Sequence, residues 1–220
     1  MPGKLLIFDL DGTVLNTLED LDAALNHVLS LHGFPSCTVA QTRSRVGNGN
    51  RRLISRSVPE GTDDAVIDVM FAEFSAYYRD HCHDRSAPYP GIPELLRACL
   101  ADGYRTAVLS NKEQYAVDIL CDLYFPGLFH HVLGGRPDVP RKPSPDAVLA
   151  LMDQLVLAKS DVLFIGDSEV DLETTANAHI PSVAVTWGFR DEDRLTGASN
   201  KAKDPQELLT VIRRLLPISR

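Results

Sequence analysis

The sequence predicts an α/β fold in which helices wrap a parallel sheet, with a separate helical segment inserted near the start of the chain. Three observations predict it. Apolar, strand-like runs recur at residues 5–8, 106–109, 162–165 and 183–185. Helical patterns lie between the later runs, an alternation that calls for parallel strands joined by helical crossovers. The first two runs are too far apart for one ordinary crossover, whose loops take only a few residues each.

Taken in order, the first run is Leu5-Leu6-Ile7-Phe8, and it stops at Asp9-Leu10-Asp11-Gly12. Residues two apart in a strand share a face, but the glycine lets the chain turn after Asp9 and aim both acids into one crevice. Two like charges buried together are costly unless a cation or a shared proton relieves them. The alternative is a solvated turn whose acids cap the next element.

The inserted segment covers residues 16–87, leaving 1–15 and 88–220 for the sheet domain. Leu18, Leu21, Leu25, Val28 and Leu29 line one helical face, and Thr62 introduces a second helix carrying Val66, Val69, Met70, Phe74 and Tyr77. Pro88-Tyr89-Pro90-Gly91 marks the return. A helical segment hinged at two short connections beside a strand end can open and close over it. Beyond it, Ile92, Leu95, Leu96, Cys99 and Leu100 form a stripe stopped by Gly103. Ser144-Pro145 opens another helix, serine as N-cap and proline at the first helical position.

Composition narrows the function. With 44% hydrophobic residues in a 220-residue chain there is enough apolar material for a substantial core. The 22 Lys and Arg stand against 30 Asp and Glu, a net charge of -8, so no broad basic surface exists to track a phosphate backbone. Nucleic acid is therefore not an expected partner. The same field repels anions at long range, so phosphate chemistry here needs local cations. Cys37, Cys82, Cys99 and Cys121 form no C-x-x-C pair, no secretory leader is evident, and no apolar run approaches the roughly 20 residues that span a bilayer. The expectation is a soluble cytoplasmic protein with free thiols and no membrane partner.

Three further segments end strands or begin helices: Ser110-Asn111-Lys112, Lys142 ahead of Ser144-Pro145, and Gly166-Asp167 through Asp171. In an open α/β sheet the C-terminal strand ends share one edge, where ligands bind at the topological switch point. These segments can converge there on Asp9. Asp9 and Asp167 offer hard oxygen ligands suited to Mg²⁺, which also removes the like-charge problem. Ser110 and Asn111 can donate hydrogen bonds to phosphate oxygens, and Lys142 can neutralise both a phosphate and a carboxylate.

Over nearly its whole length the chain resembles phosphatases of the haloacid dehalogenase superfamily. Asp9-Leu10-Asp11-Gly12-Thr13 resembles that family's first motif, Ser110 the second, Lys142 the third, and Gly166-Asp167 with Asp171 the fourth. The resemblance implies a Rossmann-like, doubly wound core with an all-α cap. It implies Asp9 as nucleophile, forming an aspartyl-phosphate, and Asp11 as general acid and then base. It also implies Mg²⁺ held by Asp9, the Asp11 backbone carbonyl and Asp167, with Asp171 in support. The presence of Asp11 favours phosphate esters over haloacids, whose halide needs no acid. The absence of any lysine between Lys4 and Lys112 disfavours the phosphonoacetaldehyde hydrolases, which use a cap lysine.

The cap run Gly47-Asn48-Gly49-Asn50-Arg51-Arg52 resembles the glycine-containing cap loop of phosphoglycolate phosphatase-like members. Its glycines admit close backbone approach to a small substrate, and Arg51 or Arg52 can pair with a carboxylate, unless both are solvated at a helix start. Asn16 replaces the aspartate common after the first motif. The expected substrate is a small phosphorylated metabolite, with 2-phosphoglycolate as the single best candidate. A phosphosugar mutase, a pyrophosphatase, a nucleotidase acting on monophosphates, and a non-enzymatic phosphate-ligand binding protein are the alternatives. His81-Cys82-His83, His130-His131 and His179 lack partners for a metal or nucleophile site and are expected to be structural. Lys112 and Arg141 divide between an electrostatic role and surface charge, while Trp187 and Phe189 can pack against the core edge or line the substrate entrance, the core edge being the preferred reading.

Overall fold

A computed structural model of the protein describes residues 3–218. Its strands are β1 (Leu5–Phe8), β2 (Leu15–Asn16), β3 (Ala87–Pro88), β4 (Arg105–Glu113), β5 (His131–Gly135), β6 (Val162–Gly166), β7 (Ser182–Val185) and β8 (Lys201–Ala202). The α-helices are α1 (Leu18–Leu31), α2 (Val39–Arg45), α3 (Asn50–Ser55), α4 (Asp64–His81), α5 (Ile92–Ala101), α6 (Gln114–Tyr124), α7 (Asp146–Leu155), α8 (Glu169–Ala178) and α9 (Pro205–Leu215).

The main sheet has the order β5-β4-β1-β6-β7-β8, and all of its pairings are parallel. The fold is the expected doubly wound, Rossmann-like sheet flanked by helices. β1 lies at its centre, buried on both faces, which is why it reads as an unbroken apolar run. Leu6 and Phe8 point into a core shared with α1, α5, α6 and α9, whereas Leu5 and Ile7 point into a second core under α7. Progression along the sheet reverses at β1, with β4 on one side and β6 on the other. The ends of these three strands are therefore the switch point.

Between β2 and β3, which pair as a short antiparallel ribbon, the chain forms α1 to α4. Asp20 of α1 is buried and accepts the N–H groups of Arg85 and Ser86 and the Ser86 hydroxyl, fastening the return strand to the first helix.

Several local expectations change. The N-cap of α4 is Asp63, whose carboxylate takes the Ala65 N–H, while the Thr62 hydroxyl donates to the Pro59 carbonyl. The buried stripe of α4 is Ile67, Met70, Phe74 and Tyr78; Val69 is exposed and Tyr77 only half-buried, because the helix faces α1 one residue further round. α7 begins one residue later than expected, since Ser144 and Pro145 are spent in the turn; the Ser144 hydroxyl still accepts the Asp146 N–H at 3.4 Å. The second apolar run is the front half of β4, which continues through Ser110, Asn111 and Lys112 with a bulge against β5. β5 itself was not foreseen, because a paired histidine and two glycines break its apolar pattern.

Candidate active site

Asp9 follows the last residue of β1. Its backbone N–H donates to the Ile165 carbonyl at 2.9 Å, and its Oδ1 accepts the Leu10 N–H at 2.7 Å. The amides of Thr13, Val14 and Leu15 all turn back on the Leu10 carbonyl, which folds Asp11 over toward Asp9. Gly12 permits this turn with φ of +85°, and a Cβ there would run into the Asp167 carboxylate, so only glycine fits.

The carboxylates of Asp9, Asp167 and Asp171 lie within 4.8 Å of one another, all buried or nearly so. One ammonium stands among them. Lys142 Nζ is 2.9 Å from Asp9 Oδ1 and 2.6 Å from Asp171 Oδ1. Asp171 Oδ2 accepts the N–H and hydroxyl of Ser168 at the start of α8, and Asp167 Oδ2 accepts the Phe189 N–H at 2.7 Å. Among the described residues no donor reaches Asp9 Oδ2.

Three acids against one cation leave negative charge unmatched. Burial first, then Asp171, pushes the Asp9 carboxyl up to about 8, and burial and Asp171 push Asp167 up to about 7. Burial works against the Lys142 charge, but Asp171 and Asp9 outweigh it and raise its affinity for the proton. A cluster of hard oxygens whose ionisation is held back is what a divalent cation fits. The donor set suits that cation, and Asp171 is in addition bonded to Lys142 and Ser168.

Asp11 sits beside this cluster on different partners. Thr17 Oγ1 donates to its Oδ1 at 2.5 Å, and Lys112 Nζ lies 2.9 Å from Oδ1 and 3.0 Å from Oδ2. Lys112 is buried, so the surface-charge alternative fails for it. The signal available in the sequence was its place two residues after Ser110, at the end of a central strand. Its ammonium also lies 4.8 Å from the centre of the Tyr78 ring, reaching from the core to α4.

Ser110 is buried, and its oxygen accepts the Lys112 N–H at 3.3 Å, which leaves its own proton for an acceptor in the cleft. Asn111 lines the cleft, but its side-chain amide is already engaged. Its Oδ1 takes the Lys142 N–H at 2.8 Å and its Nδ2 donates to the Lys142 carbonyl at 2.9 Å, so the amide clamps the Lys142 backbone.

A cleft of about 50 Å³ opens over Asp9, Asp11 and Asp167, roofed by Gly47, Asn48, Gly49 and Asn50. Asn48 and both glycines have positive φ, and Asn50 bonds across to Glu113 of β4 at 2.6 Å. The cap arginines are elsewhere. Arg51 pairs with Asp68 at 2.6 Å and Asp64 at 2.9 Å, drawn by the acidic start of α4, and Arg52 is exposed; neither lines the cleft. The guanidinium that does line it is Arg190, just beyond β7, which sequence reasoning missed because no motif surrounds it.

Arg141 pairs with Glu113 at 3.3 Å. Trp187 packs on the core and donates to the Thr13 carbonyl, whereas Phe189 is both buried and part of the cleft wall. His130 bonds the Thr106 N–H, His179 ends α8, and His81 pairs with Asp84. Cys37, Cys82, Cys99 and Cys121 are free thiols. No helix among the described residues is long and apolar enough to cross a membrane.

The family model for haloacid dehalogenase-like hydrolases matches residues 6–185, a span that runs from β1 to the end of β7 and takes in every acid of the cluster. The chain belongs to the haloacid dehalogenase-like hydrolases. Within that family it sits among phosphatases, enzymes that hydrolyse phosphoric monoesters. A phosphoglycolate phosphatase of Pseudomonas putida is 31% identical over 97% of this chain and 79% of its own. An N-acetylmuramic acid 6-phosphate phosphatase of Pseudomonas aeruginosa is also 31% identical, covering 97% of this chain and 96% of its own. A solved structure from Lactobacillus delbrueckii subsp. bulgaricus superposes with a TM-score of 0.89 at 32% identity, covering 96% and 99% of the two chains.

Proposed function

We propose that this hydrolase cleaves a small phosphoric monoester in the cytoplasm, with Asp9 as nucleophile, Asp11 as acid and then base, and 2-phosphoglycolate as the substrate. The observation that carries the reading is the pair of carboxylates at the end of β1, facing one cleft but held by different cations, Asp9 by Lys142 and Asp11 by Lys112. One acid can then attack phosphorus while the other serves the leaving oxygen. Attack by Asp9 forms an acyl phosphate and breaks the ester bond, splitting hydrolysis into two displacements. Asp11 gives the departing alkoxide its proton and takes one from the water that later cleaves the acyl phosphate. Ser110 and Lys142 supply a hydroxyl and an ammonium for the phosphate oxygens.

Mg²⁺ would be held by Asp9, Asp167 and the Asp11 carbonyl, with Asp171 in support through Lys142. When bound, it supplies charge neutralisation for the phosphate and for the ionised acids. Asp167→Ala is expected to raise the Mg²⁺ concentration needed for half-maximal activity at least about tenfold, since it removes one of few carboxylate ligands. An unchanged Mg²⁺ dependence would contradict the placement.

The glycines of the roof, which admit close backbone approach, and the P. putida relative support a compact substrate. The test is Mg²⁺-dependent phosphate release from 2-phosphoglycolate, N-acetylmuramic acid 6-phosphate, simple sugar phosphates, pyrophosphate and nucleoside monophosphates. A sharp preference for 2-phosphoglycolate is expected, and a flat or sugar-directed profile rejects it. Asp11→Asn should slow esters with poor leaving groups by about 10²-fold or more while sparing aryl phosphates, whose leaving group needs little help. Equal losses on both substrates would argue against proton donation by Asp11.

A further inference from the structure

The loop after β7 touches the acid cluster and the inserted helices at once. The Phe189 N–H holds Asp167 Oδ2 at 2.7 Å. The next residue, Arg190, is buried and turns its side chain outward from the sheet domain onto α2. Its Nη1 donates to the Arg43 carbonyl at 3.2 Å, its Nη2 to the Val46 carbonyl, and its Nε to Glu169 at 3.0 Å. α2 answers in kind. Arg43 Nη2 donates to Asp191 Oδ1 at 3.0 Å and reaches the Gly188 carbonyl at 3.5 Å.

We propose that Arg190 and Arg43 are positioning residues that form a reciprocal clasp, coupling closure of the helical cap over the cleft to the setting of Asp167. Each segment donates a guanidinium to acceptors on the other, so neither arginine can keep those crossing bonds if the two segments part. The acceptors on the cap side are carbonyls at the C-terminal end of α2, where a helix leaves acceptors unpaired and its dipole favours a cation. Val46 leads directly into Gly47, and a Cβ at Gly47 would lie 3.0 Å from Arg190 Nη2, so the guanidinium also sets the height of the roof. On the core side the same short loop carries the amide that orients Asp167. Closing the cap therefore tensions the loop that fixes that acid, and fixing the acid presents Arg190 to the cap.

Glu169 is half exposed and serves to aim Arg190, since its bond to Nε leaves both terminal nitrogens directed at α2. The plane of the guanidinium suits this role, as its forked donors meet two carbonyls and one carboxylate at fixed angles. Lysine has one nitrogen and cannot reproduce the span.

The test is amide hydrogen exchange across residues 42–55 of the full chain, with and without MgCl2, in wild type, Arg43→Gln, Arg190→Gln and the double variant. Asp191→Asn, at an exposed position, serves as a further variant that leaves the core intact. Exchange in this segment is expected to quicken about fivefold or more in each single variant, and no further in the double, because both act through one opening. MgCl2 should slow exchange there in wild type but not in the variants. Arg190→Lys should fail to restore protection. Unchanged exchange in the single variants, or additive effects in the double, overturns the clasp.

The kinetic arm alone rests on the phosphatase reading. Arg43→Gln should lower kcat/KM for 2-phosphoglycolate about tenfold or more while changing p-nitrophenyl phosphate hydrolysis less, since only the small substrate depends on the closed roof. Equal losses on both substrates would count against the clasp. Loss of all phosphate release in wild type would sink the phosphatase reading, and the exchange arm would still decide the clasp.

Discussion

Asp9→Asn is expected to abolish turnover and, without added divalent cation, to raise the melting temperature. The amide keeps the shape, and its oxygen can still accept the Leu10 N–H, but it cannot attack phosphorus. A loss of at least about 10⁴-fold is expected for a nucleophile of this kind. The stability gain follows from the charge. Burial and Asp171 hold the Asp9 carboxyl up to about 8, well above its value of 3.8 in an unfolded chain. A carboxyl raised in this way gives the fold its full stability below the unfolded value, and loses it as pH rises through about 8. The asparagine variant carries no such penalty, and Lys142 retains Asp171 at 2.6 Å. Its advantage over wild type should therefore grow between pH 4 and pH 8, by several degrees, since about 1 kcal/mol moves Tm by roughly 2–4 °C in chains of this size. Thermal melts across that range, beside a phosphate-release assay, check both halves. Substantial residual turnover would remove Asp9 from the nucleophile role, and a melting point that falls at pH 8 would remove the electrostatic account.

The centre of the fold was legible because it is built from strong local signals. β1, β6 and β7 are short apolar runs buried in the sheet, and the acids that end β1 and β6 interrupt those runs abruptly. β5 and the β2–β3 ribbon were not legible, since strands of glycine and histidine or of two residues owe their existence to their neighbours. The site divides the same way. Asp9, Asp11, Lys142 and Asp167 stand in motifs whose order along the chain survives folding. Asn111 and Lys112 stood in the same motif, yet their roles depend on what lies across the cleft. The Asn111 amide finds the backbone of Lys142, and Lys112 finds Asp11, contacts that no spacing rule contains. The cap arginines failed for the converse reason. Arg51 had acidic neighbours on α4 at hand, and a local pair is easier to form than one with a ligand across the cleft. Arg190 succeeded because the loop after β7 runs along the cleft edge, a consequence of sheet order and not of its own neighbours in sequence.

Lys112→Met should cost both stability and turnover, and the two losses should be separable. The ammonium is the only cation on Asp11 among the described residues, and the Asp11 side chain is only 15% exposed. Removing it leaves a nearly buried carboxylate with the Thr17 hydroxyl alone, and breaking such a pair costs about 3–5 kcal/mol. The remaining exposure and the Thr17 bond hold the cost to about 3 kcal/mol, or roughly 6–12 °C of Tm. Methionine fills the volume and suits the Tyr78 ring above it, so a cavity contributes little. Turnover of poor leaving groups should fall by about 10²-fold, since a proton donor displaced by even 1 Å loses that much. The double variant Asp11→Asn/Lys112→Met then separates the effects. With no charge left to bury, it should recover most of the melting temperature lost by Lys112→Met alone, because the penalty belongs to the orphaned carboxylate and not to the missing bond. Its activity should stay at the level of Asp11→Asn. Should the double variant melt below Lys112→Met, the lysine is holding the core together through Tyr78 and β4, and its pairing with the acid is incidental.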